Sequence, residues 1–329
     1  MPTRPTIVVT DYKFPDLALE VSAAEQAGCD LIGHHCETEA ELKAAVAGAD
    51  AVITQFARLS APVVAAMTRA RAIVRYGIGV DNVDLDAARQ HGIPVSNIPD
   101  YCIDEVADHT LSFILAMTRQ VVTHTADLRA GHWRLAVPVS GMKVLRDQTV
   151  GLVGFGRIGR EVAARLLAFK CRVLVCDPMV PETDILRAGV TGVSLEQLLS
   201  TSDIVSLHCP STAATRHIIG SAALAAMKPG ALLVNVARGD LVDTGALLEA
   251  LRSGHLGAAA LDVFDPEPLP LEHALRALPN MVIAPHIASV SVTAVRALRQ
   301  GAIARAVAAA LGHLPDNVVN QIMLPRVVE

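Results

Sequence analysis

The stretch Thr149–Pro178, TVGLVGFGRIGREVAARLLAFKCRVLVCDP, constrains this chain more than any other. An apolar run, Val150–Val153, leads into Gly154, Gly156 and Gly159 at G-x-G-x-x-G spacing. Apolar residues then recur at helical period through Val162, Leu166 and Phe169, and a β-rich run, Arg172–Cys176, ends at Asp177. The three glycines do different work. Gly154 permits the tight strand-to-helix turn, Gly156 lets backbone approach a pyrophosphate, and Gly159 lets the helix lie close on the sheet. The helix N-terminus offers unpaired N–H groups and partial positive charge to phosphate. Asp177 is placed to accept hydrogen bonds from ribose hydroxyls. Glycine spacing alone is a weak signal, but the whole strand–turn–helix–strand–Asp unit predicts a dinucleotide site.

With 329 residues, 52% of them hydrophobic, the chain is long enough for two domains with sizeable cores. A formal net charge of −5 provides no general basic field for nucleic acid. Charges and prolines interrupt every apolar run before it reaches membrane-spanning length. The N-terminal MPTRPTIVVTD runs straight into a short strand, so no signal peptide is expected. Cys29, Cys36, Cys102, Cys171, Cys176 and Cys209 are scattered without a C-x-x-C, which fits reduced thiols in a cytoplasmic protein. The His34-His35-Cys36 cluster has poor spacing for a metal, and none is expected.

The first part of the chain alternates short strands (Thr6–Thr10, Cys29–Ile32, Ala51–Thr54, Ala72–Arg75, Pro94–Asn97) with helices (Leu17–Ala27, Thr38–Ala47, Ala61–Thr68, Leu85–His91). Thr38 and Glu41 form a capping-box pattern. Helical periodicity then runs from Ile103 to about Ala130 without Pro or Gly, predicting one long helix, and Gly131–Asp147 with Trp133 reads as an irregular arm. Beyond the opening stretch, strands are expected at Asp203–His208, Ala231–Val236, Ala258–Val263 and Met281–Ala284, with helices between. An alanine-rich helix, Val292–Leu311, and an extended tail follow. The pattern is α/β, with a doubly wound parallel sheet. The expected domains are 1–100 plus 291–329, discontinuous and substrate-binding, and 101–290, which binds the dinucleotide.

Ligands of open α/β sheets bind beyond the carboxyl ends of the strands. There the sequence places Arg238 after Val236, Glu267 after Val263, and His286 after Ala284. Histidine carries protons near neutral pH, a carboxylate beside it fixes its tautomer, and arginine binds carboxylates and polarises carbonyls. Beside a nicotinamide this set can reduce a 2-keto acid, with His286 delivering the proton, Glu267 supporting it and Arg238 holding carboxylate and carbonyl.

These residues sit within motifs that resemble the D-isomer-specific 2-hydroxyacid dehydrogenase family. The motifs are YGIGVDNVD (Tyr76–Asp84), NIPDYCIDEVADHT (Asn97–Thr110), GLVGFGRIG (Gly151–Gly159), VNVARGDLVD (Val234–Asp243), ALDVFDPEP (Ala260–Pro268) and APHIA (Ala284–Ala288). IVRYG and NIPDYCIDEVADH are most similar to the C-terminal-binding-protein corepressor subgroup, whose tryptophan after the histidine is replaced here by Ile287-Ala288-Ser289. The resemblance implies two Rossmann-like domains, the NAD-binding sheet being inserted into a smaller flavodoxin-like substrate domain. It implies that Arg238, Glu267 and His286 are catalytic. It implies that amides around Gly77, Ile78 and Gly79 bind the substrate carboxylate, with Arg75 and Tyr76 beside them. It further implies that Asp177 selects NAD, that Asp262 touches the nicotinamide amide, and that a homodimer forms through the long helix and the Trp133 arm.

The expected cofactor contacts comprise Gly154, Gly156, Arg157, Ile158, Gly159 and Asp177 around the turn, and His208, Cys209, Pro210 and Thr215 after the next strand. Val236, Ala237, Arg238, Asp262, His286 and Thr110 complete the set. The expected partner is a small 2-keto or 2-hydroxy acid. An NAD(H)-sensing scaffold with little turnover is the alternative reading.

Overall fold

Short runs of β-branched and aliphatic residues build two all-parallel sheets, each covered by helices. The computed structural model describes residues 4–328; residues 1–3 and 329, which the expected domain limits include, lie outside that description. The chain divides into one unit of Met1–Tyr101 with Ser291–Glu329 and a second of Cys102–Val290.

The first unit contains β1 (Thr6–Val9), β2 (Asp30–Gly33), β3 (Ala51–Thr54), β4 (Ile73–Arg75) and β5 (Val95–Ser96), in the order β2-β1-β3-β4-β5. Alternation along β1 explains the layering. Ile7 and Val9 face a cluster with Ala24, Leu298, Ala302 and Ala306. Val8 faces the opposite cluster with Leu42, Val46, Val63 and Ala88. Helices Ala18–Gln26 and Val292–Ala310 thus cover one face, and Glu39–Val46, Ala61–Ala66 and Leu85–Gln90 the other. Thr38 forms the expected capping box with Glu41. After the last helix the tail returns to the sheet edge, where Asn320 accepts from Val95 N and donates to Ile93 O.

The second unit contains β6 (Thr149–Val153), β7 (Arg172–Cys176), β8 (Thr191–Gly192), β9 (Ile204–Leu207), β10 (Ala231–Asn235), β11 (Leu256–Leu261) and β12 (Met281–Ile283). Their order is β12-β11-β10-β9-β6-β7-β8, so the chain starts at β6, runs outward to β8, and returns to build the other half from β9. The reversal between β6 and β9 is the topological switch point of a doubly wound sheet. Val205, Leu207, Leu233, Leu247 and Ala259 are fully buried in the core on one side of it.

Two features differ from the sequence expectation. The long helix is two helices, Ile103–Thr118 and Val121–Arg129. Gln120 adopts φ 52°, its side chain donates to Met117 O, and Thr118 O is taken by Lys143 N, so the helical ladder is interrupted. Edge strand β8 and helix Glu182–Arg187 were not expected, because neither carries a long apolar run. Among the described residues no helix is long and apolar enough to cross a membrane.

Candidate active site

Sheet register brings six strand ends of the second unit into one row. Val153 pairs with Cys176 and Leu207, Leu207 with Asn235, Asn235 with Leu261, and Leu261 with Ile283. The residues that follow each end, Gly154, Asp177, His208, Val236, Asp262 and Ala284, therefore emerge along one edge.

The glycine turn spans the switch point. Gly154 has φ 100°, and a Cβ there would lie 2.6 Å from Cys209 N; a Cβ on Gly159 would lie 2.5 Å from Gly154 O. Both glycines are thus required by internal packing. Gly156 is different: a Cβ there would meet nothing within 4 Å, so open space lies over the N-terminus of helix Arg157–Ala168. A bare backbone with open space above a helix N-terminus fits a pyrophosphate. Asp177 closes the turn, accepting from Phe155 N at 2.7 Å and Met179 N at 2.9 Å. The residues present therefore fit a dinucleotide.

His208 follows β9, and its Nε2 lies 2.9 Å from Ser206 Oγ. Its Nδ1 is buried without a hydrogen-bond partner, and burial pushes the ring pKa down to about 4. Burial likewise pushes the Cys209 thiol up to about 11, which excludes a thiolate nucleophile near neutral pH. Thr215 donates to Pro210 O at 2.7 Å and closes the loop that follows both residues.

Beyond β10, fully buried Asn235 shapes the next turn: its Oδ1 accepts from Ala237 N at 3.0 Å and its Nδ2 donates to Arg238 O at 2.7 Å. Arg238 Nη1 donates to Ala237 O at 2.7 Å. A Cβ on Gly239 would overlap the Phe264 carbonyl, so this glycine lets the Arg238 turn nest against the loop carrying Glu267. Across that loop His286 Nδ1 stands 2.7 Å from Glu267 Oε1. The carboxylate fixes the ring orientation and directs Nε2 to other work.

Three residues expected at the site are buried and bonded within the protein. Asp262 is fully buried, and its oxygens accept from Ile287 N at 2.9 Å and Ala288 N at 2.8 Å, so it anchors the His286 loop. Thr110 is fully buried and its hydroxyl donates to Val106 O at 2.7 Å. Tyr76 is 1% exposed and its hydroxyl donates to Glu20, so its ring belongs to the core of the first unit. In the first unit, Arg75 Nη1 donates to Tyr76 O at 2.5 Å, Gly77 has φ 149°, and Asn97 Nδ2 donates to Ile78 O at 2.6 Å, shaping the Gly77–Gly79 loop. Asn235, Gly239 and Asn97 were missed as positioning residues. The readable signal for Asn235 was an amide at the end of the apolar run ALLVN.

A glycine turn that fits a dinucleotide, with a paired histidine and an arginine on the same sheet edge, defines a nicotinamide-dependent oxidoreductase class. The model of the D-isomer specific 2-hydroxyacid dehydrogenase NAD binding domain matches residues 111–288, and the chain belongs to that family. It is 36% identical over 305 residues to a glyoxylate reductase of Thermofilum pendens, covering 90% of each chain. It is 42% identical over 248 residues to a D-3-phosphoglycerate dehydrogenase of Mycobacterium leprae, covering 75% of this chain and 46% of the other. The chain thus spans about half the length of that relative. A solved NADPH-dependent glyoxylate/hydroxypyruvate reductase from Sinorhizobium meliloti, in complex with NADP and malonate, superposes with a TM-score of 0.88 at 30% identity, over 99% of this chain and 100% of that one.

Proposed function

We propose that this chain is an NAD-dependent reductase of small 2-keto acids, forming the D-2-hydroxy acid. The observation that carries this reading is the Glu267–His286 pair on the sheet edge that also bears Arg238 and the Gly154–Gly159 turn. A nicotinamide dinucleotide held by the Gly154–Gly159 turn would supply the hydride for C2 of the keto acid. His286 delivers a proton from Nε2 to the carbonyl oxygen, and Glu267 stabilises the protonated ring before transfer. Arg238 binds the carboxylate and polarises the carbonyl. In the first unit, the amides of Gly77, Ile78 and Gly79 bind carboxylate. In the reverse direction neutral His286 takes the proton from the hydroxyl. Asp177 favours NAD, because its carboxylate suits ribose hydroxyls and opposes a 2′-phosphate.

The Met1–Tyr101 and Ser291–Glu329 unit is assigned to the substrate, and Cys102–Val290 to the cofactor. A homodimer is proposed through the segment in which Val121, Val122, Leu128, Leu135 and Val139 are exposed and Trp133 is 92% exposed. Sedimentation equilibrium tests it, and a monomer at micromolar concentration overturns it.

The deciding experiment is steady-state oxidation of NADH with glyoxylate, hydroxypyruvate, pyruvate and phenylpyruvate, together with NAD reduction by D-3-phosphoglycerate. Turnover with at least one 2-keto acid is expected. Tight NADH binding without turnover of any acid overturns the enzyme reading in favour of a nucleotide-sensing scaffold.

A further inference from the structure

Glu20 has no exposed surface, although it lies on helix Ala18–Gln26 far in sequence from the proposed chemistry. A buried carboxylate is costly unless its lone pairs are filled. Here they are filled from two distant segments. Arg299 Nε donates to Oε1 at 2.8 Å and Arg299 Nη2 to Oε2 at 2.6 Å, a two-pronged pair, while Tyr76 Oη donates to Oε1 at 3.1 Å. Arg299 is itself held: Nη2 also donates to Asp16 O at 2.8 Å, and its guanidinium lies 5.0 Å over the Phe14 ring. Phe14 meets the Tyr76 ring edge-on at 5.2 Å.

Packing alone does not require this arrangement. A phenylalanine at position 76 would bury the same ring without a charge pair beneath it. What the carboxylate adds is a fixed acceptor for one hydroxyl. Tyr76 immediately precedes Gly77, whose φ of 149° turns the chain into the loop. The far side of that loop is already tied, since Ile98 N donates to Gly77 O at 3.0 Å and Asn97 Nδ2 to Ile78 O at 2.6 Å. The near side is tied by Tyr76.

We propose that Glu20 is a positioning residue for the carboxylate-binding loop Gly77–Gly79, acting through the Tyr76 hydroxyl and locked in place by Arg299. The proposal rests on the reductase reading above. It also identifies Arg299 as the cation that makes a buried acceptor available at that position.

The test compares the full chain with Tyr76→Phe and Glu20→Gln. Tyr76→Phe is the milder change, and it decides the matter should Glu20→Gln fail to fold. Loss of one net hydrogen bond is expected to raise KM for glyoxylate or hydroxypyruvate about three- to tenfold, with kcat and the Kd for NADH little changed. Hydrogen exchange across residues 76–79 should quicken in the same variant. A lowered Tm with unchanged KM and unchanged exchange in that loop overturns the proposal. Absence of turnover in the parent chain overturns the reductase reading instead, and the exchange measurement then decides the tie by itself.

Discussion

His286 meets Glu267 at 2.7 Å while its own backbone stands in the left-handed region, at φ 56°. For a non-glycine residue that conformation costs on the order of 1–3 kcal/mol. The neighbouring strand holds it in place. His286 N donates to Asp262 O at 2.8 Å, and the next two amides are taken by the Asp262 carboxylate. His286, proposed as the proton carrier, its partner Glu267 and the anchoring Asp262 thus form one connected arrangement at the ends of β11 and β12.

Replacing His286 with alanine removes the only proton carrier assigned to the reaction. The expected loss in kcat for keto acid reduction is about 100- to 10,000-fold, with the Kd for NADH little changed. Stopped-flow and fluorescence titration measure the two quantities. Turnover like that of the parent would exclude the assigned role.

Glu267→Gln keeps the shape of the side chain but withdraws a negative charge from the imidazole. The charge-assisted contact at 2.7 Å that orients the ring is thereby weakened. kcat for keto acid reduction is expected to fall about tenfold or more, with the Kd for NADH little changed. A parental kcat would show that Glu267 does not act on the histidine.

Asp262→Asn turns one of the two acceptors facing Ile287 N and Ala288 N into a donor. Leaving a buried amide unsatisfied costs about 1–3 kcal/mol. Tm should fall, and kcat should fall with it as the His286 loop loosens. A variant with lowered Tm but parental kcat would mean that Asp262 stabilises the unit without positioning the histidine.

The sequence made every strand of the second unit except β8 readable, because each of the others contains a short apolar run. Gly154, Arg238, Glu267 and His286 could be assigned to strand ends for that reason. Hydrogen-bond direction could not be read. Asp262 follows Leu261 just as Asp177 follows Cys176, yet Asp262 accepts from two amides of the His286 loop, whereas Asp177 accepts from one amide of the glycine turn and one of its own. Tyr76 looked like a loop residue because it follows Arg75, but strand alternation turns its ring into the core toward Glu20. The break at Gln120 was hidden because no Gly or Pro marks it; Gln120 itself takes φ 52° and its amide donates to Met117 O.

Asp177→Ser removes the charge proposed to oppose a 2′-phosphate and shortens the acceptor that Phe155 N and Met179 N share. The ratio of kcat/KM for NADH to that for NADPH should fall by about tenfold or more, since one charge contact is worth 1.4 kcal/mol or above. An unchanged ratio would remove Asp177 from the ribose site.

The buried ring of His208 gives the stability of the second unit a pH dependence of definite sign. Burial pushes its pKa down to about 4, against about 6.5 in an unfolded chain. Between those values the unfolded chain binds the proton and the folded one does not, so stability rises with pH. The full contribution is present above pH 6.5 and is lost as pH falls toward 4, by about 3 kcal/mol in all. His208→Gln keeps a group able to bond Ser206 but does not titrate. Denaturant unfolding at pH 7.5, 6.5 and 5.5 should show a shallower decline in the variant than in the parent. Parallel curves would mean that the His208 ring accepts a proton in the folded state as readily as in the unfolded one.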